Sequence, residues 1–426
     1  MIGEFERPAR LRIGQDRALA RYLRNHVTPY SPFHHDVLRS RAVAGRQALA
    51  ELPLTRLEDV TDPSELVLRP TPESLNSSPQ RELRVKWWWA RIRRRTGAFN
   101  RTIIDPRYKP IHWHADVVQL GYTADDVERL SELGRAGLEM AGVTPTDVLV
   151  SIYPPGPTLG FWQIHFGARR AGVASLFLGP DVSADEVARL RPNVLVGRSG
   201  DLIRLLEAGR QSGLSFAGLS TLVAVGEALD PARRSRLAEL AGTAGQPVAV
   251  VATWAPPGVR ALWSECRDGV DVHSWPTAEV VELIDPLSGT SVPPGADGEI
   301  VWSAVGWMGS VLLRLRTGVF GCIDDTACVS CGRTAPRIRV MNSLPPFARI
   351  LDDHPGVAVW QAELRTHDGS EELIVFLSPA DAEHPGRLLR ELDRQLSVTQ
   401  FVVLDHAALQ SRLRDGGDVR VLDLRR

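Results

Sequence analysis

Between Asp147 and Thr253 five short apolar runs, "DVLVSIY", "VASLF", "NVLVG", "TLVAV" and "PVAVVAT", recur at intervals of about 25 residues. Runs rich in Val, Leu and Ile are apolar on both faces, so strands made from them must be covered on both sides. The stretches between them include "TLGFWQIHFGARRA", "SADEVARLR" and "DPARRSRLAELA", which suit the helical crossovers that parallel strands need. The expectation is an α/β core with a mainly parallel sheet. The preceding "TADDVERLSELGRAGLEMAG" reads as a helix, with Thr123 and Asp126 in capping-box spacing at its start and Gly142 as its stop.

After Trp254 the rhythm changes. "AEVVELIDPLSGTSVPPGADGEIVWS" reads as two strands around a turn rich in proline and glycine, which predicts a β-rich subdomain over about residues 255–340. Beyond Pro346, the strand candidates "VAVWQAELR", "ELIVFLS" and "QFVVLD" with the helix candidate "GRLLRELDRQL" predict a small α+β C-terminal domain over 346–426. The remainder, 1–340, is expected to be one large α/β N-terminal domain that includes the β-rich part. A chain of 426 residues is long enough for this division.

Charge excludes little and localises much. The net charge of -1 gives no overall pull toward nucleic acid or anionic lipid. The opening residues do not read as a secretory signal, and no apolar run approaches the roughly 20 residues of a membrane span, so a cytoplasmic protein is expected. The 50 basic residues include only two lysines, Lys86 and Lys109, so chemistry requiring a lysine ammonium has none in the later part of the chain. One segment, "RVKWWWARIRRRTGAF" (84–99), mixes three tryptophans with six basic residues. It reads as a helix with its tryptophans on the core and its arginines in water; a nucleic-acid, membrane or partner surface is the alternative.

The chain has four cysteines. Cys328 and Cys331 stand in C-x2-C spacing, and Cys266 and His273 lie upstream in "ECRDGVDVH". Three thiolates and an imidazole would fill the four-coordinate shell of a structural zinc site. A redox pair or inert cysteines are the other readings, and Cys322 is the spare thiol.

The succession of "YSPF", "LPLTRLEDV", "GYTADDVERL", "RPNVLVGRSGDL", "AVGEALDPARRSRLAEL", "VVELIDPLSGTSVPPGADGEIV", "LRLRTG", "CVSCGRTAPRI" and "DDHPGVAVWQAEL" resembles the phenylacetate–coenzyme A ligase family of the adenylate-forming superfamily. The resemblance implies a zinc site at Cys266, His273, Cys328 and Cys331. It also implies an enzyme that uses ATP and magnesium to make an acyl-adenylate and then transfers the acyl group to coenzyme A, often as a homodimer. The adenine pocket of the family corresponds here to Gly226, Glu227 and Trp254.

Five elements of that chemistry depart from the family pattern. No glycine-rich phosphate loop precedes "GYTADDV", where "PIHWHADVVQL" stands instead. Gly258 occupies the position of the magnesium-binding glutamate in "WAPPG", and Val319 that of the ribose-binding aspartate in "RTGV". The interdomain hinge is reduced to "MNSLPPF", and "GGDVRVLD" lies where the catalytic lysine should be. These losses remove the cations and carboxylates that adenylation needs. The expected function is therefore a ligase-like protein without adenylation that binds an acyl or aryl carboxylate, a thioester or a protein partner. The alternative is an active divergent carboxylate–CoA ligase or an ATP-independent acyl-transfer enzyme, with His112, His114 and His165 as candidate acid–base groups and Trp254 as a stacking platform.

Overall fold

The computed structural model describes residues 5–424 except 40, 42, 116, 217, 243–246, 270, 287, 294, 341–350, 352–353, 368–369, 381–384, 397 and 416–420. Its residues divide into two compact units. The first comprises Met1–Val281, Val301–Thr317 and Asp324–Arg339; the second comprises Glu282–Ile300, Gly318–Ile323 and Val340–Arg426.

In the first unit, a hairpin of β1 (His112–Ala115) and β2 (Gln119–Tyr122) precedes the helix Ala124–Met140. The parallel strands are β3 (Val148–Ser151), β4 (Ala174–Phe177), β5 (Val194–Gly197), β6 (Thr221–Val225) and β7 (Ala249–Trp254). Every expected run from Val148 to Thr253 is thus a strand. Then β8 (Trp263–Glu265), β9 (Val272–His273) and β13 (Arg337–Val340) add antiparallel to the same sheet, in the order β13-β9-β8-β7-β6-β5-β3-β4. Three further strands, β10 (Glu279–Ile284), β11 (Gly298–Ala304) and β12 (Leu315–Asp324), have residues in both units. The result is the mixed α/β architecture that the strand pattern predicts.

Burial follows the chemistry of the strands. Val194, Leu195 and Val196 of β5 are fully buried, as are Leu222 and Ala224 of β6, and the helices Ala184–Leu190, Ser199–Gln211 and Pro231–Ala241 contribute Val187, Leu202 and Leu237 to the same core. The helix Ala124–Met140 packs on the helix Leu159–Ala171 at a point where backbones nearly touch. A Cβ on Gly167 would lie 2.6 Å from the carbonyl carbon of Gly134, so only glycine permits this crossing.

The second unit has a four-stranded sheet in which β14 (Val357–His367) pairs antiparallel with β15 (Ser370–Pro379), flanked by the parallel strands β17 (Val421–Leu424) and β16 (Gln400–Val403). Trp360, Ala362, Val375 and Leu377 pack there with Leu388 and Leu392 of the helix Pro385–Gln395.

The tryptophan segment folds into the helix Arg81–Ile92, but only Trp87 is buried; Trp88 and Trp89 are exposed. Successive helical residues are about 100° apart, so three in a row cannot share a core face. Among the described residues no helix is long and apolar enough to cross a membrane.

Candidate functional site

The metal-ligand candidates Cys266, His273, Cys328 and Cys331 meet in the first unit. Cys266 follows β8, His273 ends β9, and Cys328 and Cys331 occupy the turn between β12 and β13. Register brings the segments together, because β13 pairs with β9 through Arg337 opposite His273, and β8 pairs with β9 through Ser264 opposite the same histidine. One ligand atom from each of the four residues lies within 4.8 Å of the others. The Cys266 and Cys328 sulfurs are 3.9 Å apart, and Cys331 Sγ is 3.5 Å from His273 Nε2.

A tetrahedron with zinc–sulfur bonds of 2.3 Å has an edge of about 3.8 Å, so these separations suit zinc. Cys266, His273 and Cys328 are buried, and His273 Nδ1 has no hydrogen-bond partner. Burial, then the neighbouring Cys331 and Cys328, pushes the Cys266 thiol up to about 12. Burial also opposes the Cys328 thiolate, but the backbone N–H groups of Cys331 and Ser330 outweigh it, and that thiol lies below its ordinary value. Arg337 ties both halves of the cluster together: it pairs with Asp324 and donates to Thr326 Oγ1 at 3.2 Å and to Asp271 at 3.5 Å. Cys322 is outside the cluster, in the second unit.

Where the resemblance puts the phosphate loop, the chain forms the β1–β2 hairpin, and a buried network fixes it. The Asp126 carboxylate accepts N–H bonds from Thr123 at 3.0 Å, Met308 at 2.8 Å and Gly309 at 2.7 Å. Arg260, fully buried, approaches the same carboxylate at 3.7 Å and donates to the carbonyls of Ser310 (2.7 Å) and Gly121 (2.9 Å). Its guanidinium lies 3.7 Å from the centre of the Tyr122 ring. Neither Asp126 nor Arg260 is marked as part of an ion pair by the sequence. The only signal was the capping box, which accounts for one of the contacts of Asp126.

Beside the hairpin is a cleft of about 130 Å³ lined by His114, Tyr122, Tyr153, Leu159, Gly226, Pro256, Gly258 and Leu262, with valines and small residues completing it. Among the described residues, no Asp, Glu, Lys or Arg lines it. Of the family-implied pocket residues, Gly226 reaches this cleft. Glu227 instead accepts from Ser199 N–H at 3.0 Å and pairs with Arg233 at 2.6 Å, and Trp254 is buried edge-on to Trp263. Gly258 also lines the cleft, at a φ of +84°, and a Cβ there would come within 2.6 Å of Leu315 Cδ2 and 3.0 Å of Leu57 Cδ2. Val319 belongs to the second unit, and the "MNSLPPF" segment lies outside the described residues.

Of the three histidines only His114 lines the cleft. It is buried, and neither ring nitrogen has a hydrogen-bond partner. Burial, with His112 and Arg260 adding to it, pushes its pKa down to about 2. His112 is 4.8 Å from His114 between ring centres and 4.7 Å from Trp162, and burial lowers its pKa too. His165 packs among Phe161, Trp162 and Phe177, with its pKa lowered by burial and then by Arg169. The three are held neutral in an aromatic setting, which suits hydrogen bonding to an uncharged group better than proton transfer.

The central sheet, its crossovers and the antiparallel additions are those of the adenylate-forming fold. That likeness covers 99% of this chain and 91% of 2-hydroxyisobutyryl-CoA ligase, solved in complex with 2-HIB-AMP and CoA, at a TM-score of 0.62 and 17% identity. An open conformation of the same ligase matches at a TM-score of 0.61, covering 97% of this chain and 86% of that one, at 18% identity. The chain has the adenylate-forming fold and is similar in sequence to phenylacetate–coenzyme A ligases. It is 25% identical to the phenylacetate-coenzyme A ligase of Thermus thermophilus over 339 residues, 77% of this chain and 69% of that enzyme. It is 24% identical to the enzyme of Escherichia coli over 204 residues, which spans 46% of each. No protein-family model matches the chain.

Proposed function

We propose that the chain is a CoA-ligase-like protein that has lost ATP-dependent adenylation and keeps the old cleft as a binding site for a small acyl or aryl group, carried as a carboxylate or thioester. The observation that carries this reading is the lining of the cleft: its described residues include a neutral imidazole and tyrosines but neither carboxylate nor cation. Magnesium needs carboxylate oxygens and a developing phosphate charge needs a cation, so the described lining residues do not fit ATP and magnesium. A volume of about 130 Å³ is close to that of a cavity that takes one benzene ring. His114 is then a hydrogen-bonding partner for the ligand, and the low basicity of all three histidines weighs against acid–base work by them.

In the same reading Cys266, His273, Cys328 and Cys331 hold a structural zinc ion, which would cross-link the β-rich part of the chain and take no part in a reaction. Residues 346–426 form the small C-terminal domain, the protein is cytoplasmic, and a protein partner or a second copy acts with it. Calorimetric titration of the full chain with ATP and magnesium, together with pyrophosphate release over aryl and short aliphatic acids, tests the proposal. No ATP heat and no acid-dependent pyrophosphate are expected, alongside saturable binding of an aryl carboxylate, amide or thioester. Acid-dependent pyrophosphate formation overturns it.

A further inference from the structure

The helix Arg81–Ile92 carries two apolar faces. One faces inward: Leu83 and Trp87 are buried, the Trp87 indole donates to Asn76 Oδ1 at 2.9 Å, and its ring lies 5.4 Å from Phe99. The other consists of Val85, Trp88, Trp89 and Ile92, at i, i+3, i+4 and i+7, which is a single stripe along the helix. These four are 46%, 55%, 47% and 54% exposed. Isolated exposed apolar residues need no explanation, but an aligned stripe with two indoles does.

Cations border the stripe on both sides. Helical geometry puts Arg84 and Arg91 along one edge and Lys86 and Arg93 along the other, with Arg94 and Arg95 just past the end, and all six are exposed. The Arg93 guanidinium sits 5.3 Å from the Trp89 ring centre. From Arg81 to Lys109 there are 10 basic and 2 acidic residues, an excess of 8 positive charges in a chain whose net charge is -1. One of the two acids, Glu82, is paired with Lys86 at 2.5 Å.

We propose that this face docks on an anionic lipid surface. The apolar stripe would enter the boundary between headgroups and acyl chains, with the indoles at headgroup level. The long basic side chains along both edges would reach lipid phosphates and carboxylates while their stems stay against the apolar layer. The arrangement of charge favours a membrane over nucleic acid: cations form the borders and apolar groups the middle, whereas a phosphate backbone calls for cations at the centre of contact. Matched cationic edges on both sides of a straight ridge suit a uniformly anionic plane. This inference is independent of what the cleft binds.

Flotation of the full chain with phosphatidylcholine vesicles, with and without phosphatidylserine, tests it. Binding only to the anionic vesicles is expected, weakening at high salt, with tryptophan fluorescence quenched by brominated lipid. Trp88→Ser with Trp89→Ser should lower vesicle affinity at least tenfold, and each of Arg93→Gln, Arg94→Gln and Arg95→Gln should lower it roughly fivefold. Because these side chains are exposed, the melting temperature of each variant should match that of the parent, so a loss of binding reads the surface and not the fold. Absence of binding to anionic vesicles overturns the proposal, as does binding that survives the double tryptophan change. A stripe that instead mediates self-association, seen as a dimer in sedimentation that Trp88→Ser with Trp89→Ser dissolves, overturns it too, as does an oligonucleotide complex in place of vesicle binding.

Discussion

The sulfurs of Cys266 and Cys328 stand 3.9 Å apart although 62 residues separate them in the chain. Without an ion, the cluster sets thiols and an imidazole side by side in a largely buried place; with zinc, three sulfurs and one nitrogen of His273 become ligands. The protein as purified is therefore expected to carry about one equivalent of zinc by elemental analysis. Cys328→Ser should lose most of it and melt lower by roughly 5 °C or more, the shift that about 2 kcal/mol produces in a large unit. Cys322→Ser, outside the cluster, should keep its zinc. Full melting temperature without bound metal would sink the assignment.

Asp126 and Arg260 form the second buried relationship on which the fold near the cleft depends. The carboxylate accepts three backbone N–H bonds and the guanidinium fills two carbonyls, with both residues at or below 1% exposure. Asp126→Asn puts an amide where only acceptors fit and leaves the guanidinium without its counter-charge. A loss of about 3–5 kcal/mol in denaturant unfolding is expected. A loss below 1 kcal/mol would show that the network contributes little.

Acid should act on this protein in two opposing ways. Burial pushes the Glu279 carboxyl up to about 7, even though it accepts from the indoles of Trp263 and Trp302 and from the Trp275 N–H. A carboxyl raised in the folded state holds its proton more tightly there. Its contribution is therefore greatest below the unfolded value near 4.5 and is lost as pH rises toward 7, on the order of 3 kcal/mol in all. His26 and His34 do the reverse. Burial lowers both to about 4, so stability falls as pH drops from 6.5 toward 4. Glu279→Gln removes the opposing gain, and its loss of stability between pH 7 and pH 4.5 should exceed that of the parent by about 3 kcal/mol. Equal losses in the two proteins would show that Glu279 is ionised in the native state.

The parallel strands were legible because period and composition are local: "NVLVG" has no reading other than a buried strand between turns. Ligand spacing gave the cysteine cluster for a similar reason, since thiols are scarce. The β1–β2 hairpin was not legible, because "HWHA" and "QLGY" are too short and mixed for periodicity, and their pairing of His112 with Tyr122 depends on contacts elsewhere. Glu279 and Arg260 look like surface charges in sequence. Only the fold, by delivering three tryptophans to one and two carbonyls to the other, makes them core residues.

Gly258 gives the sharpest test of whether the proposed loss of adenylation can be undone. It stands where the resemblance puts the magnesium-binding glutamate, so Gly258→Glu is the obvious attempt at restoration. The backbone there has a φ of +84°, which strains any side chain, and a Cβ would meet Leu315 at 2.6 Å and Leu57 at 3.0 Å. Backbone strain and displacement of two packed leucines should together cost about 2–4 kcal/mol. The variant is expected to melt lower, to bind no magnesium–ATP by calorimetry and to release no pyrophosphate with any acid that the parent binds. Gly258→Ala separates the two effects: it should show most of the destabilisation without adding a charge. A folded Gly258→Glu protein that binds magnesium–ATP would mean that a single side chain stood between this cleft and nucleotide binding.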